Sequence, residues 1–395
     1  MAKFTPPKYV RQVLMTLQGR GYPAYLVGGC VRDMLLGTAP NDWDICTHAL
    51  PEQILELFPG SRLTGRQQGT VTVCVHSHAV EVTPFRTEGG YSDHRHPDQV
   101  RFVGDLTADL ARRDFTVNAM ALSAEGIVRD PFGGAEDLRR GVIRCVGEPE
   151  RRFEEDALRM LRALRFSAKL GFAIDLFTME AIREKAPLCR YLAPERVREE
   201  LEKTLLSPAP DVVCEAVRLG LLDAYVDTRL ADPVTERLAA LPKRSAERWV
   251  GFAWLLKRRG CVRSAEGFLK ALRLDGHTLR VCARAEELLE TPLPDTAAAW
   301  KRRLRRCGSE TALCAARCAD AFDGGGHTRA LRAVLRSGEC FSLKNLAVTG
   351  DDLIAMGLKG RAVGEMLDFL LDYVIDYPEN NRRELLLSLA AGTEE

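Results

Sequence analysis

The sequence has no run of about 18 consecutive apolar residues, which excludes a membrane-spanning helix by hydropathy. Its opening decapeptide, MAKFTPPKYV, lacks the apolar centre of a secretory leader. Neither sign of charge is in excess: 56 Lys and Arg stand against 55 Asp and Glu, a net of +1. The field of the whole chain therefore favours no polyanion, and a site for one would have to be a local basic patch. The 12 cysteines are scattered from Cys30 to Cys340 without a Cys-x-x-Cys pair. That argues against a disulfide framework and for a reduced, cytoplasmic setting. The tightest group, Cys307, Cys314 and Cys318, has no His at ligand spacing and reads as buried helix thiols rather than zinc ligands. No internal repeat or low-complexity tract stands out. What is present is 395 residues, 46% apolar and 28% charged, enough for two or three domains with a substantial core.

The patterning changes near residue 150. Before it, Val10, Val13, Leu14 and Leu17 have helical spacing and end at Gly19-Arg20-Gly21. Ala24 to Val27 is a short apolar run stopped by Gly28-Gly29, Val31 to Leu36 a short helix closed by Gly37, and Asp42 to Cys46 alternates as a strand does. Val71 to Val75 and Val80 to Thr83, with His76-Ser77-His78 between, read as a β-hairpin, and 143–146 as a last strand. After it the strand signals stop. Helical spacing is expected over 153–170, 194–206, 211–222, 245–258, 264–273, 279–290, 296–306 and 363–376, punctuated by prolines.

The first chemistry is the pair Asp42 and Asp44. On a strand, residues two apart share a face, so these carboxylates would repel unless a cation such as Mg²⁺ lay between them. Trp43 and Ile45 would face the core. An Asp-x-Asp on its own is also an ordinary surface feature. Upstream, however, stands Gly28-Gly29-Cys30-Val31-Arg32-Asp33, a strand, a glycine turn and a helix start. Backbone N–H groups at such a turn cradle phosphate, and Arg32 lies in the first helical turn. Turn, arginine and carboxylate pair within 20 or so residues form a constellation suited to a triphosphate and a metal.

These residues resemble the polymerase-β-type nucleotidyltransferase signature, in its class II branch, the tRNA nucleotidyltransferase/poly(A) polymerase family. Further motifs extend the resemblance over 23–200. Phe85 to Pro97 resembles the family's flexible loop, Arg112-Arg-Asp-Phe-Thr-Val-Asn-Ala-Met120 its RRDFTxNAM motif, followed by Asp130-Pro-Phe-Gly-Gly134. Glu155-Asp-Ala-Leu-Arg159, with Arg162 and Arg165, resembles its base-selecting helix, and Glu195-Arg-Val-Arg-Glu199 a further helical motif. Leu346 to Asn381 resembles the C-terminal part of bacterial members. One departure is His96, where the family's loop commonly has a second arginine.

The resemblance implies an α+β chain: a polymerase-β-like nucleotidyltransferase palm with a mixed sheet at 1–147, then an all-α neck at 148–208 for base selection, body at 209–320 and tail at 321–395 for tRNA. It implies addition of CMP, CMP and AMP to tRNA 3′ ends from CTP and ATP, with pyrophosphate released. Asp42 and Asp44 would bind two Mg²⁺. Glu81, on the adjacent expected strand, is either a third carboxylate or an exposed strand position. Gly29 and Arg32 would hold the triphosphate, and Arg113 the sugar or phosphate, while Asn118 fits a turn-fixing role.

Asp156, Arg159, Arg162 and Arg165 recur every third residue, about 60° apart on one broad helix face. The plain reading is a charged surface with an Asp156–Arg159 pair. The ligand reading is that cytosine and adenine both offer an amino donor beside a bare ring nitrogen, and uracil and guanine the inverse. An acceptor, Asp156, beside a donor, Arg159, would take C and A and refuse U and G. Arg162 and Arg165 would then serve phosphates or Asp156.

Lys301-Arg302-Arg303-Leu304-Arg305-Arg306 is either a solvated face or a contact to the phosphates of the tRNA acceptor and T arm. The stretch 84–112 is expected to be a mobile loop needed chiefly for the final A. Its presence disfavours a CC-only enzyme; the tail and neutral charge disfavour a poly(A) polymerase. An A-only relative and an inactive RNA-binding scaffold are the other readings. A homodimer is compatible with the sequence, and no second, hydrolytic activity is expected.

Overall fold

The computed structural model describes residues 5–65, 68–90, 99–230 and 237–392. These fall into two compact units, one within 1–231 and the other within 232–395.

The first unit opens with α1 (Lys8–Gly19), whose Val10, Val13, Leu14 and Leu17 are fully buried, as their spacing requires. There follow β1 (Ala24–Val27), α2 (Gly29–Leu35), β2 (Asp44–Thr47), α3 (Pro51–Leu57), β3 (Arg62–Gly65), β4 (Thr70–Val75) and β5 (His78–Pro84). Next come β6 (Arg86–Gly89), β7 (Gln99–Phe102), α4 (Leu106–Ala111), β8 (Ala121–Leu122), β9 (Val128–Arg129), α5 (Gly134–Arg140) and β10 (Val142–Ile143). A mixed sheet of seven strands runs β3-β4-β5-β2-β1-β8-β9, with β2 and β5 parallel and the other neighbours antiparallel. The hairpin joining β4 and β5 turns on His76 and Ser77, both at positive φ, the handedness that matches strand twist. Val71, Val73, Val80 and Val82 bury their side chains, which turns Glu81 outward.

Helices then dominate: α6 (Pro149–Glu155), α7 (Leu158–Leu170), α8 (Leu176–Lys185), α9 (Pro194–Leu205) and α10 (Val213–Arg218). One short strand, β11 (Ala173–Ile174), pairs in parallel with β10, so strand structure does not end at 150 as the patterning suggested. Two residues are too few to produce alternation. The expected helix over 153–170 is also two helices. Asp156, between α6 and α7, is extended (φ −148°, ψ 103°), and its carboxylate accepts the Leu158 N–H at 3.1 Å. A short acidic side chain that caps the next helix competes with helix continuation.

The second unit is all-helical in its described residues, with α11 (Ser245–Arg258), α12 (Ala265–Ala271), α13 (Gly276–Leu289), α14 (Ala297–Phe322), α15 (His327–Ser337), α16 (Gly350–Ala355), α17 (Arg361–Asp376) and α18 (Arg383–Gly392). Gly308, at φ 78°, breaks α14 in its middle. Trp300, Leu304, Ala312, Ala316, Leu331 and Val334 form one core; Leu353, Leu370, Leu371, Val374, Ile375 and Leu386 form another.

Three of the five cations in the basic segment of α14 are ion-paired within the second unit, so the segment is not simply a solvated face. Lys301 is buried, pairs with Glu339 at 2.6 Å and donates to the Ile375 carbonyl at 3.3 Å. Arg302 pairs with Asp376 at 2.6 Å, and Arg305 with Asp368 and with Asp372, the latter at 3.5 Å. The three aspartates lie one turn apart on α17, so an acidic stripe meets the basic one. No described helix is long and apolar enough to cross a membrane.

Candidate active site

Parallel pairing of β2 with β5 sets Asp44 directly opposite Glu81. Both line a cavity of about 260 Å³ whose other walls include Gln68, Arg86, Asp109, Arg112 and Arg113. Asp44 is pushed up to about 6, first by burial, then by Glu81, with Arg113 opposing and Asp42 adding. Asp42 is not on the strand with Asp44: β2 begins at Asp44, and Asp42 sits in an exposed bend before it. Trp43 and Ile45 are buried as expected, and the Trp43 carbonyl still accepts the Glu81 N–H at 3.2 Å. No three metal-ligating side chains are gathered into one cluster among the described residues. The donors are nevertheless hard oxygen ligands, and the mutual repulsion of Asp42, Asp44 and Glu81 is of the kind a divalent cation relieves.

Above the carboxylates lies the turn at Gly28-Gly29. Gly28 has φ 76°, and a Cβ there would come within 3.0 Å of Arg113 Nη1 and 3.7 Å of Asp44 Oδ2. Glycine thus brings the backbone close to both groups. Arg32 does not reach out from this turn. It is buried beneath it, bonded to Asp33 Oδ1 (2.8 Å) and Asn118 Oδ1 (2.6 Å), with Nη2 3.5 Å from where a Gly29 Cβ would stand. Asn118 also donates to Asp114 Oδ1 at 3.2 Å, so its role is the holding one. Asp114 in turn takes Arg162 Nε at 2.9 Å. Burial raises the Asp114 carboxyl, but the Arg162 charge and hydrogen bonds from Arg162, Asn118 and Phe115 override it and hold it at about 2. Phe166 packs against three guanidiniums, those of Arg165, Arg32 and Arg162, at 4.2, 5.3 and 5.6 Å.

Asp156 and Arg159 do not pair with each other. Asp156 accepts two bonds from Arg196 on α9, at 3.2 and 2.9 Å. Arg159 donates to Glu155 at 2.7 Å and to the Arg112 carbonyl at 3.3 Å. Arg165 pairs with Glu200 at 2.6 Å. Arg162 and Arg165 thus take acids other than Asp156.

Comparison with known proteins finds relatives along most of the chain. Residues 24–144 match the Poly A polymerase head domain, 171–226 a family described as a probable RNA- and SrmB-binding site of polymerase A, and 241–390 tRNA nucleotidyltransferase domain 2. The CCA-adding enzyme of Geobacillus sp. strain WCH70 is 39% identical over 384 residues, 94% of this chain and 93% of that one. The chain belongs to the CCA-adding enzyme family. The enzyme of Limosilactobacillus fermentum is 37% identical over 98% of this chain and 97% of its own. Among solved structures, the Bacillus stearothermophilus CCA-adding enzyme in complex with CTP has a TM-score of 0.79 at 34% identity, covering 99% of both chains. The Thermotoga maritima CCA-adding enzyme complexed with tRNA has a TM-score of 0.70 at 22% identity, covering 100% of this chain and 97% of its own, a likeness of fold. The chain is therefore a nucleotidyltransferase with a polymerase-β-like head and a helical remainder, as the family resemblance implied.

Several residues that shape the site were given no role of their own in the sequence reading, although Asp114 and Glu155 fall inside its motifs. Asp109, Asp114 and Glu155 each hold an arginine of the site. Asp109 and Glu155 carried a signal, an acid three or four positions before an arginine on a helix. Asp114 to Arg162 spans 48 positions and had none. The stretch 84–112 is also not one loop: it includes β6, β7 and α4, with β6 and β7 paired antiparallel. Alternation over four residues is too short to register against the polar composition. Arg95 and His96 lie outside the described residues.

Proposed function

We propose that this protein adds CMP, CMP and AMP to the 3′ end of tRNA from CTP and ATP, without a template, releasing pyrophosphate. The observation that carries this reading is Asp44 beside Glu81 in a cavity walled by Arg113, next to the Gly28-Gly29 turn. The likeness to a relative bound to CTP, and to relatives named for CCA addition, supports it. We further assign 1–147 as head, 148–208 as neck, 209–320 as body and 321–395 as tail, the last holding the acceptor and T arm. A cytoplasmic enzyme, in one copy or as a homodimer, fits this task.

Asp42 and Asp44, with Glu81 as a third carboxylate, would hold two Mg²⁺. When bound there, the ions would lower the pKa of the primer hydroxyl and neutralise the departing pyrophosphate. The chain's own residues do the rest. The backbone at Gly29 approaches the triphosphate, and Arg32 supplies positive charge beneath it without leaving its bonds to Asp33 and Asn118. Arg113 has Nε buried with no partner among the described residues, a donor left for the sugar or phosphate. Asp156 accepts the amino group of C or A, and Arg159 donates to the neighbouring ring nitrogen; Arg162 and Arg165 hold the wall behind them through Asp114 and Glu200. Uracil or guanine would set a carbonyl against Asp156.

The test is product length on tRNA lacking its CCA end and on tRNA ending in CC, with CTP alone, ATP alone and both. Addition of two nucleotides with CTP and three with both is expected. Stops at CC with both present, A addition to CC ends only, or long A tracts would each replace this reading with a CC-only, an A-only or a poly(A) enzyme.

A further inference from the structure

Asp109, on α4, is a fully buried carboxylate in the wall of the Asp44 cavity. A buried charge persists only if it is paired and its oxygens are satisfied. Here one oxygen, Oδ1, takes Arg112 Nε at 3.0 Å, Arg112 Nη2 at 2.8 Å and the Arg86 backbone N–H at 3.3 Å. The other, Oδ2, takes Arg113 Nη2 at 3.3 Å. Arg113 makes no other ion pair among the described residues. Its Nη1 stands 3.0 Å from where a Gly28 side chain would be, and its buried Nε has no partner. A guanidinium is a rigid planar fork, so anchoring one of its nitrogens orients the others.

We infer that Asp109 is a positioning residue for the nucleotide: it holds Arg113 by Nη2 so that Nη1 faces the glycine turn and the bound nucleoside triphosphate. The inference rests on the function proposed above and deepens it. Asp109 itself touches no substrate. The same carboxylate fixes Arg112, whose Nη1 donates to Glu88 at 3.0 Å and whose carbonyl receives Arg159. One buried acid therefore orients the arginine at the phosphate end and supports, through the Arg112 backbone, the arginine assigned to the base.

The experiment is equilibrium binding of CTP and of ATP, in Mg²⁺ buffer, to the intact protein and to Asp109→Asn, well below the melting temperature of each. Loss of one charge-assisted anchor should weaken both nucleotides by about tenfold or more. A structural role alone would lower the melting temperature and leave both affinities unchanged, and that result overturns the inference. Should Asp109→Asn not fold, Arg112→Gln in the same chain removes the cation left in excess. The double variant is then compared with Arg112→Gln alone: weaker CTP binding in the double variant supports the role, and equal binding refutes it. CMP incorporation by the unaltered protein is run alongside. Its absence would count against the proposed function, whereas the binding comparison bears on Asp109 whether or not transfer occurs.

Discussion

Asp156 serves as helix cap and ion-pair partner, and the proposed function makes it a base reader as well. It closes the gap between two helices through the Leu158 N–H and is paired in the free protein with Arg196 rather than Arg159. To read a base it has to share its carboxylate with the incoming amino group or yield Arg196. Asp156→Ala should therefore lower use of CTP and ATP and raise the relative use of UTP and GTP by about 1–3 kcal/mol, roughly 5- to 150-fold. Single-nucleotide incorporation with each of the four triphosphates checks this, beside a melting curve. An unchanged UTP-to-CTP ratio with a lower melting temperature would reduce Asp156 to a cap and ion-pair partner. Asp114 is the complementary case, a buried acid that carries a pH signature. Its carboxyl, held at about 2 in the folded state, lies below its ordinary value of 3.8, so its contribution is full above that value and fades as pH falls toward 2. The contribution is about 2 kcal/mol at neutral pH, with about 1 kcal/mol lost by pH 3. In urea titrations, the stability gap between the wild type and Asp114→Asn should narrow from pH 6 to pH 3; a constant gap would mean that Asp114 does not ionise differently on folding.

At the scale of elements, the segment between β5 and the helix that carries Asp109 combines two kinds of structure. Its ends are tied in: Arg86 Nη1 donates to the Gln68 carbonyl at 3.0 Å, Glu88 bridges Arg86 and Arg112, and β6 pairs with β7. Arg86, Asp109 and Arg112 also line the Asp44 cavity. Exchange of all of 84–112 would thus remove part of the site. Replacing only 90–98 with a short linker should spare CC addition and abolish the final A. Product lengths on tRNA lacking its CCA end would reveal this, and equal loss of all three additions would make the segment structural. Elsewhere, α14 and α17 show how pairing between elements alters the meaning of a motif. Five cations in six residues suggest a polyanion site, yet Lys301, Arg302 and Arg305 are spent on Glu339, Asp368, Asp372 and Asp376.

For the whole molecule, a net charge of +1 means that affinity for a polyanion must come from local patches, separate from the carboxylates of the head. Chemistry and RNA binding should accordingly come apart. Asp42→Ala or Asp44→Ala should reduce nucleotide transfer below detection while tRNA affinity, from filter binding at fixed salt, stays within about twofold, because each removes a negative charge and no phosphate contact. Wild-type turnover in either variant would withdraw its metal assignment.

The local signals in the sequence determined the early helix, the glycine turn, the β4–β5 hairpin, most of the long helices and the membership of Gly28, Gly29 and Asp44 in one constellation. These depend on neighbours a few residues apart, whose spacing is written directly in the chain. Glu81 was legible as an outward position on the next strand, but only the parallel register of β2 and β5 set it against Asp44. Tertiary structure alone decided that Arg32 turns inward to Asn118, that Asp156 meets Arg196, that Arg162 meets Asp114 and that Asp109 gathers the arginines of the cavity. An ion pair needs opposite charges a few ångströms apart in space, and among 111 charged side chains (56 + 55) sequence spacing does not select the partners. Packing of α7 against α9 and of α4 against the sheet does.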